Sequence, residues 1–214
     1  MIAKSWIAIV TLFALALAVR AQETPRLEVF GGYSFDRAGF PFQNSSDVPN
    51  FGNGHGNLHG WNGSAALNLN RWLGVAADFA GHYGSATASK SITIVPPGCF
   101  IGCNEQITAT LHSIHTFTFG PQISRRVENR TIFARALFGG ARTRGGLSSF
   151  SLFPPLLPLT TQTSFAMILD GGADVGLSRR VAVRLQPGYL MTHILDQRQS
   201  CFRFSTGLVF RVGQ

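Results

Sequence analysis

The chain has 214 residues and a formal net charge of +8, yet only 13% of its residues are charged, while Gly and Phe number 24 and 18. A soluble secreted domain normally carries about 25% charged residues, so this composition points to a sheet with one face in lipid, with a compact β-sandwich as the alternative. No run of five or more Lys or Arg occurs, which excludes the basic stripe of a nucleic-acid-binding domain.

Residues 1–21 carry Lys4, an uncharged apolar run over 6–19 and small residues around Ala21. This is the pattern of a secretory signal peptide cut after Ala21. The apolar run is shorter than the roughly twenty residues a spanning helix needs. Residues 22–214 are therefore expected as one all-β domain. Loss of Lys4 and Arg20 with the signal takes the formal charge from +8 to +6. No later stretch holds eighteen uninterrupted apolar residues, so the rest of the chain enters a bilayer only as a closed barrel, where every backbone polar group is paired. The basic balance makes outer-membrane lipid and lipopolysaccharide phosphates the expected partners.

Period-2 alternation bounded by turn residues then recurs down the chain. RLEVFGGYSF (26–35) is followed by a Gly/Asn-rich loop over 36–58. HGWNGSAALNLN and RWLGVAADFAGHYG meet at Asn70-Arg71. A second loop, 85–106, contains PPGCFIGCNE, in which Cys99 and Cys103 are candidates for a small disulfide, leaving Cys201 over. ITATLHSIHTFTFGPQISRR and RTIFARALFGGAR flank a corner at 127–129, and a third loop over 143–161 holds the apolar LFPPLLPL. SFAMILDGGADVGLS and RVAVRLQPGYLMTH meet at Ser178-Arg179-Arg180, and a fourth loop, 194–200, leads into CFRFSTGLVFRVG. The expected architecture is an eight-stranded antiparallel up-and-down β-barrel, with short turns at one end and four long loops at the other.

One parity of these strands is apolar with aromatics near the ends, among them Tyr33, Trp61, Tyr83, Tyr189, Phe202 and Phe210. The other parity is Gly, Ala, Ser and Asn with isolated charges. Small residues suit the crowded lumen of a narrow barrel, whereas a soluble exterior would be rich in Lys and Glu. A soluble ligand-binding barrel, with the apolar parity inside, is the rival arrangement.

EVFGGYSF, NRWLGVAADF, FTFGPQISRR, FARALFGGAR, GGADVGLSRRVAVRLQPGYL and FSTGLVFRVG resemble, in order, the strands of the OmpA-like (OmpA/OmpX-type) outer-membrane β-barrel family over about 27–213. The resemblance implies a monomeric barrel in the outer membrane of a diderm bacterium, inserted by the barrel-assembly machinery. Its role would be structural, adhesive or that of a narrow pore, with no catalytic residues and no cofactor. Many such chains end on an aromatic residue, whereas this one ends Phe210-Arg211-Val212-Gly213-Gln214.

Three groups of residues carry chemistry. Asp174 and Arg184 lie equally far from Arg179, so a hairpin in simple register opposes them on one face; Glu28, Asp78, Arg135, Arg203 and Arg211 share that parity on other strands. Charges closed off from water must pair, so an interior ion-pair network is expected, with a channel lining as the functional alternative. His55 and His59 are expected in the first loop, and His82, His112, His115 and His193 at solvated outer strand ends. His112-Ser113 is the pair to test for a lipid-modifying enzyme, although neighbours on a strand point to opposite faces. LFPPLLPL is expected to plug the barrel mouth or to meet a partner. FGNGHGNLHG follows no strand into a helix and is read as a surface loop.

Overall fold

The computed structural model of the chain describes residues 25–40, 54–94, 103–149, 157–194 and 197–213. The signal segment 1–21, Cys99 and most of LFPPLLPL lie outside these residues. Eight strands follow one another: β1 (Leu27–Phe40), β2 (Gly54–Asn68), β3 (Leu73–Ile94), β4 (Cys103–Val127), β5 (Arg130–Ser149), β6 (Leu157–Gly176), β7 (Val181–Ile194) and β8 (Gln197–Val212). Each pairs antiparallel with the next, and β8 returns to β1 from Leu27↔Val212 to Gly39↔Ser200, so the sheet closes into a barrel. At that seam Gly32 faces Gly207, and a Cβ on Gly32 would stand 2.7 Å from the Gly207 Cα. Glycine is what lets β1 and β8 approach so closely.

The tight turns have local causes. Between β2 and β3, Asn70 Oδ1 accepts hydrogen bonds from the backbone N–H of Trp72 (2.9 Å) and Leu73 (2.7 Å). Between β6 and β7, Ser178 Oγ accepts from Val181 N–H at 3.1 Å. These are the side-chain mimics of a backbone turn that Asn and Ser supply. Between β4 and β5, Glu128 sits at φ 51°, a left-handed position that a non-glycine residue rarely takes.

The strands at the other end run further than the sequence pattern indicates. The first loop narrows from 36–58 to the segment between Phe40 and Gly54, and the second from 85–106 to that between Ile94 and Cys103. The third lies between Ser149 and Leu157, and β7 and β8 are separated by 195–196 alone. Apolar alternation ends where the apolar belt ends, but backbone pairing does not need it. Stretches such as SATASKSITI, rich in β-branched residues and free of breakers, continue the ladder as hairpin arms. Two interruptions fall mid-wall, each beside a proline, which has no N–H to give: the β4–β5 ladder skips from Phe119↔Phe138 to Gln122↔Arg135 around Pro121, and the β6–β7 ladder from Asp170↔Gly188 to Ala173↔Leu185 around Pro187.

Faces sort as a lipid-facing barrel requires. Outward side chains form an apolar belt in which Phe119, Leu177 and Ile132 are 67%, 66% and 64% exposed. Inward ones are buried and largely polar. The arrangement with the apolar parity inside, as a soluble barrel needs, is reversed here.

Candidate functional site

The lumen is built from the turn end upward. Glu28, first on the inward parity of β1, receives the Arg126 guanidinium at 2.7 Å and lies 3.6 Å from that of Arg184. Arg184 binds Asp174 with two parallel bonds of 2.7 and 2.8 Å, the fork geometry in which Arg matches a carboxylate best. The register Asp174↔Arg184 is the one the symmetric spacing about Arg179 indicates. The Arg184 guanidinium also lies 4.2 Å from the centre of the Phe133 ring and 5.3 Å from that of Phe30, a contact that suits a desolvated cation.

A second tier is centred on Arg135. It grips Asp170 with bonds of 2.7 and 2.8 Å and reaches across the lumen to Asp78 at 3.4 Å. Gln186 donates to Asp170 and Asn62 to Asp78. In the third tier Arg203 bonds Asp36 and Asp78, each at 3.2 Å, and Thr116 at 3.1 Å. Asp78 is therefore the hinge between tiers, holding two guanidiniums from β5 and β8. Arg211, half-buried near the turn end, donates to Thr131.

Beyond Arg203, toward the hairpin arms, the described lumen side chains carry no ion pair, and the buried Thr143, Thr192 and Gln199 lie among apolar neighbours. Ala38, Leu58, Ile114, Ala141, Leu190 and Cys201 pack there as one buried cluster. The interior thus has a charged lower part and an upper part of mixed apolar and uncharged polar side chains, and side chains fill both, as expected for a barrel of this strand number.

Glu28, Asp78, Arg135, Asp174, Arg184 and Arg203 are all buried and all meet an opposite charge. The sequence reading omitted Asp36, Asp170 and the rim partner Arg126. Parity would have found the first two: Asp36 continues the inward series Glu28, Phe30, Gly32, Ser34, and Asp170 lies two steps from Gly172 and four from Asp174.

The histidines part company. His82, expected at a solvated strand end, is fully buried in the lumen. It shares a hydrogen bond of 2.8 Å with Ser34, and its Nδ1 lies 3.3 Å from an Asp36 oxygen. Parity with Asp78 overrides nearness to the strand end. Ser34, His82 and Asp36 lie in the order of a hydrolase relay. All three are fully buried, however, and Ser34 is also bound to Ser205 at 2.8 Å, so the hydroxyl faces packed protein. His59 is on β2, not in a loop, and bonds the Tyr33 hydroxyl on the outer wall; His115 bonds the Tyr83 hydroxyl at 3.0 Å. His55 and His193 fall on β2 and β7.

His112 and Ser113 do not diverge as neighbours on a regular strand would. Leu111 pairs with Gly145 but Ser113 with Arg144, so His112 is an inserted bulge residue. Leu111 packs on the lumen cluster, while His112 and Ser113 line the same outward groove. Among the described residues that line the groove there is no carboxylate. Among the described residues no three His, Cys, Asp or Glu side chains converge as metal ligands would. Cys103 opens β4, but its candidate partner Cys99 lies outside the described residues, and Cys201 is buried in the lumen cluster.

No family model matches the chain, and no curated protein matches it by sequence. Solved structures do. Neisserial surface protein A aligns at 10% identity over 86% of this chain and 96% of its own, with a TM-score of 0.52. Ail, the attachment invasion locus protein of Yersinia pestis, aligns at 14% identity over 87% and 99%, with a TM-score of 0.47. The outer membrane protease OmpT of Escherichia coli aligns at 9% identity over 91% and 99%, with a TM-score of 0.46. At these identities the likeness is one of fold: the chain is a closed, all-antiparallel, eight-stranded β-barrel of the outer-membrane protein type.

Proposed function

We propose that this chain is a non-enzymatic, OmpA-like barrel of the outer membrane of a diderm bacterium, with its tight turns in the periplasm and its hairpin arms outside. Its lumen is sealed, and its service is structural support of the envelope and display of the arms at the surface. The observation that carries the reading is one inversion: the apolar parity faces out as a continuous belt, and the charged parity faces in, buried and paired. Exposed apolar area of this extent on a water-soluble protein would drive association, whereas in hydrocarbon it is the required surface.

A pore needs a polar path. Here the three guanidiniums of the tiers are at most 3% exposed, and Leu58, Ile114 and Leu190 are buried above them. A lipid-modifying enzyme needs a nucleophile, a base and an acid meeting at the outer rim. Among the described residues the groove at His112 and Ser113 brings no acid, and the lumen relay at Ser34 brings no access.

Cell fractionation with detergent gels, run unheated and heated, tests the placement. Outer-membrane recovery and heat-dependent migration are expected; a soluble protein with one mobility refutes it. Planar-bilayer current at baseline is expected for the sealed lumen, and stable conductance steps would overturn that part. Lipid A chemistry unaltered by H112A or S113A is expected, and a change would restore the enzyme.

A further inference from the structure

The outer wall of β3–β5 carries a groove of about 890 Å3, lined among others by Tyr83, His112, His115, Phe117, Arg142 and Arg144. Its construction is specific. The β4–β5 register sets His115 opposite Arg142 and Ser113 opposite Arg144, so cations and hydrogen-bonding groups alternate on one outward face. The bulge adds His112 to that face. His115 is anchored by the Tyr83 hydroxyl at 3.0 Å with the two rings edge to face. Below them the Phe117 ring lies over Gly140, where a Cβ would stand 2.5 Å from the ring's Cζ.

Charge separates this groove from the rest of the barrel. Glu28, Asp36, Asp78, Asp170 and Asp174 are buried inside, and Glu128 sits at the opposite end, in a tight turn. Among the described residues no ion pair involves Arg142 or Arg144, and both are exposed. Two guanidiniums with no acid among the described lining residues make an anion site. The apolar half matters equally: Phe117 and Phe165, 47% and 59% exposed, lie directly toward the belt from Arg142 and Thr163. A ligand filling both halves has a phosphate and an acyl chain joined head to tail.

We infer that this groove binds a phosphorylated glycolipid of the outer leaflet, lipopolysaccharide by class, with its phosphate on Arg142 and Arg144 and an acyl chain over Phe117 and Phe165. The inference rests on the outer-membrane placement proposed above. Arg is suited to the role because its planar fork bonds two phosphate oxygens at once. His112, His115 and Ser113 add hydrogen-bonding groups around the same headgroup.

The test uses the full chain folded in detergent micelles, with folding and insertion competence checked first by heat-dependent migration. Fluorescent lipopolysaccharide is titrated against wild type, R142Q/R144Q, and R130Q at the opposite rim; enzymatically dephosphorylated lipopolysaccharide, phosphatidylglycerol and inorganic phosphate serve as competitors. The expected result is at least tenfold weaker binding by R142Q/R144Q, unchanged binding by R130Q, and at least tenfold poorer competition by every competitor than by unlabelled lipopolysaccharide. Equal binding by wild type and R142Q/R144Q overturns the site. Equal competition by the dephosphorylated form overturns phosphate recognition; equal competition by phosphatidylglycerol or inorganic phosphate overturns the glycolipid as source. R142K/R144K, which keeps charge without the fork, is expected to bind at an intermediate level, and binding as weak as that of R142Q/R144Q with heat-dependent migration intact would still locate the site in the fork. A chain that never shows a folded, heat-modifiable form fails at the placement, and the inference falls with it; a folded chain without selective binding fails at the groove alone.

Discussion

Arginine does two different things on the two sides of one wall. Inside, Arg135, Arg184 and Arg203 are almost completely buried, and each is held by at least two carboxylates. Outside, at the loop-side rim, Arg37, Arg142 and Arg144 are exposed, with no carboxylate among the described lining residues beside the last two. The difference follows from solvation. A guanidinium removed from water stays charged and is tolerated only with strong acceptors around it, whereas one at a headgroup surface has water and phosphate. The same substitution should therefore have opposite weight on the two sides, and that contrast can be broken experimentally.

The largest effect is expected inside. R203A leaves Asp36 and Asp78 facing each other without their shared cation, and loss of one partner of a buried ion pair costs about 3–5 kcal/mol. Urea unfolding of the barrel in lipid vesicles, followed by Trp fluorescence, measures it. Next comes an arginine forced onto the wrong surface. F119R puts a charge into the middle of the apolar belt, at a position 67% exposed that pairs with Ala77 and Phe138, and on the lipid face near the midplane that costs about 2–4 kcal/mol; the same titration in vesicles checks it. A smaller effect is the coupling of Asp174 with Arg184. In a double-mutant cycle of D174N and R184M the pair should show about 0.5–3 kcal/mol of interaction, because either change alone breaks the forked pair, although D174N leaves Arg184 with Glu28. The smallest is R142Q. An exposed arginine with no ion pair among the described residues should alter unfolding by no more than about 0.5 kcal/mol. A loss comparable to that of R203A would erase the contrast.

Much of this was legible in the sequence, because a barrel wall has only two faces. Alternation alone separated Phe202, Leu208 and Phe210 from Arg203 and Ser205, and the equal spacing of Asp174 and Arg184 about their turn fixed a cross-strand pair. What alternation cannot supply is distance across the lumen. Arg135 meets Asp78, and Arg203 meets Thr116, between strands that are not neighbours in the sheet, so their pairing depends on closure. Strand ends were also hidden, since hairpin arms beyond the belt keep their ladder after the apolar pattern has stopped; Asp36 was assigned to a loop for that reason and His82 to solvent. The bulge at His112 has no glycine to announce it, and without it His112 and Ser113 would have stayed on opposite faces.

The most direct test of the central claim, lipid outside and paired charge inside, is a spin-label scan along β5 from 131 to 138, with Cys99, Cys103 and Cys201 replaced and the barrel reconstituted in bilayers. Labels at Ile132, Ala134, Ala136 and Phe138 should collide far more with lipid-soluble oxygen than with a water-soluble nickel complex. Labels at Thr131, Phe133, Arg135 and Leu137, which face the packed lumen, should be reached by neither wherever the barrel still folds. Higher nickel than oxygen accessibility at the even-numbered positions, or the same pattern with the parities exchanged, would contradict the account.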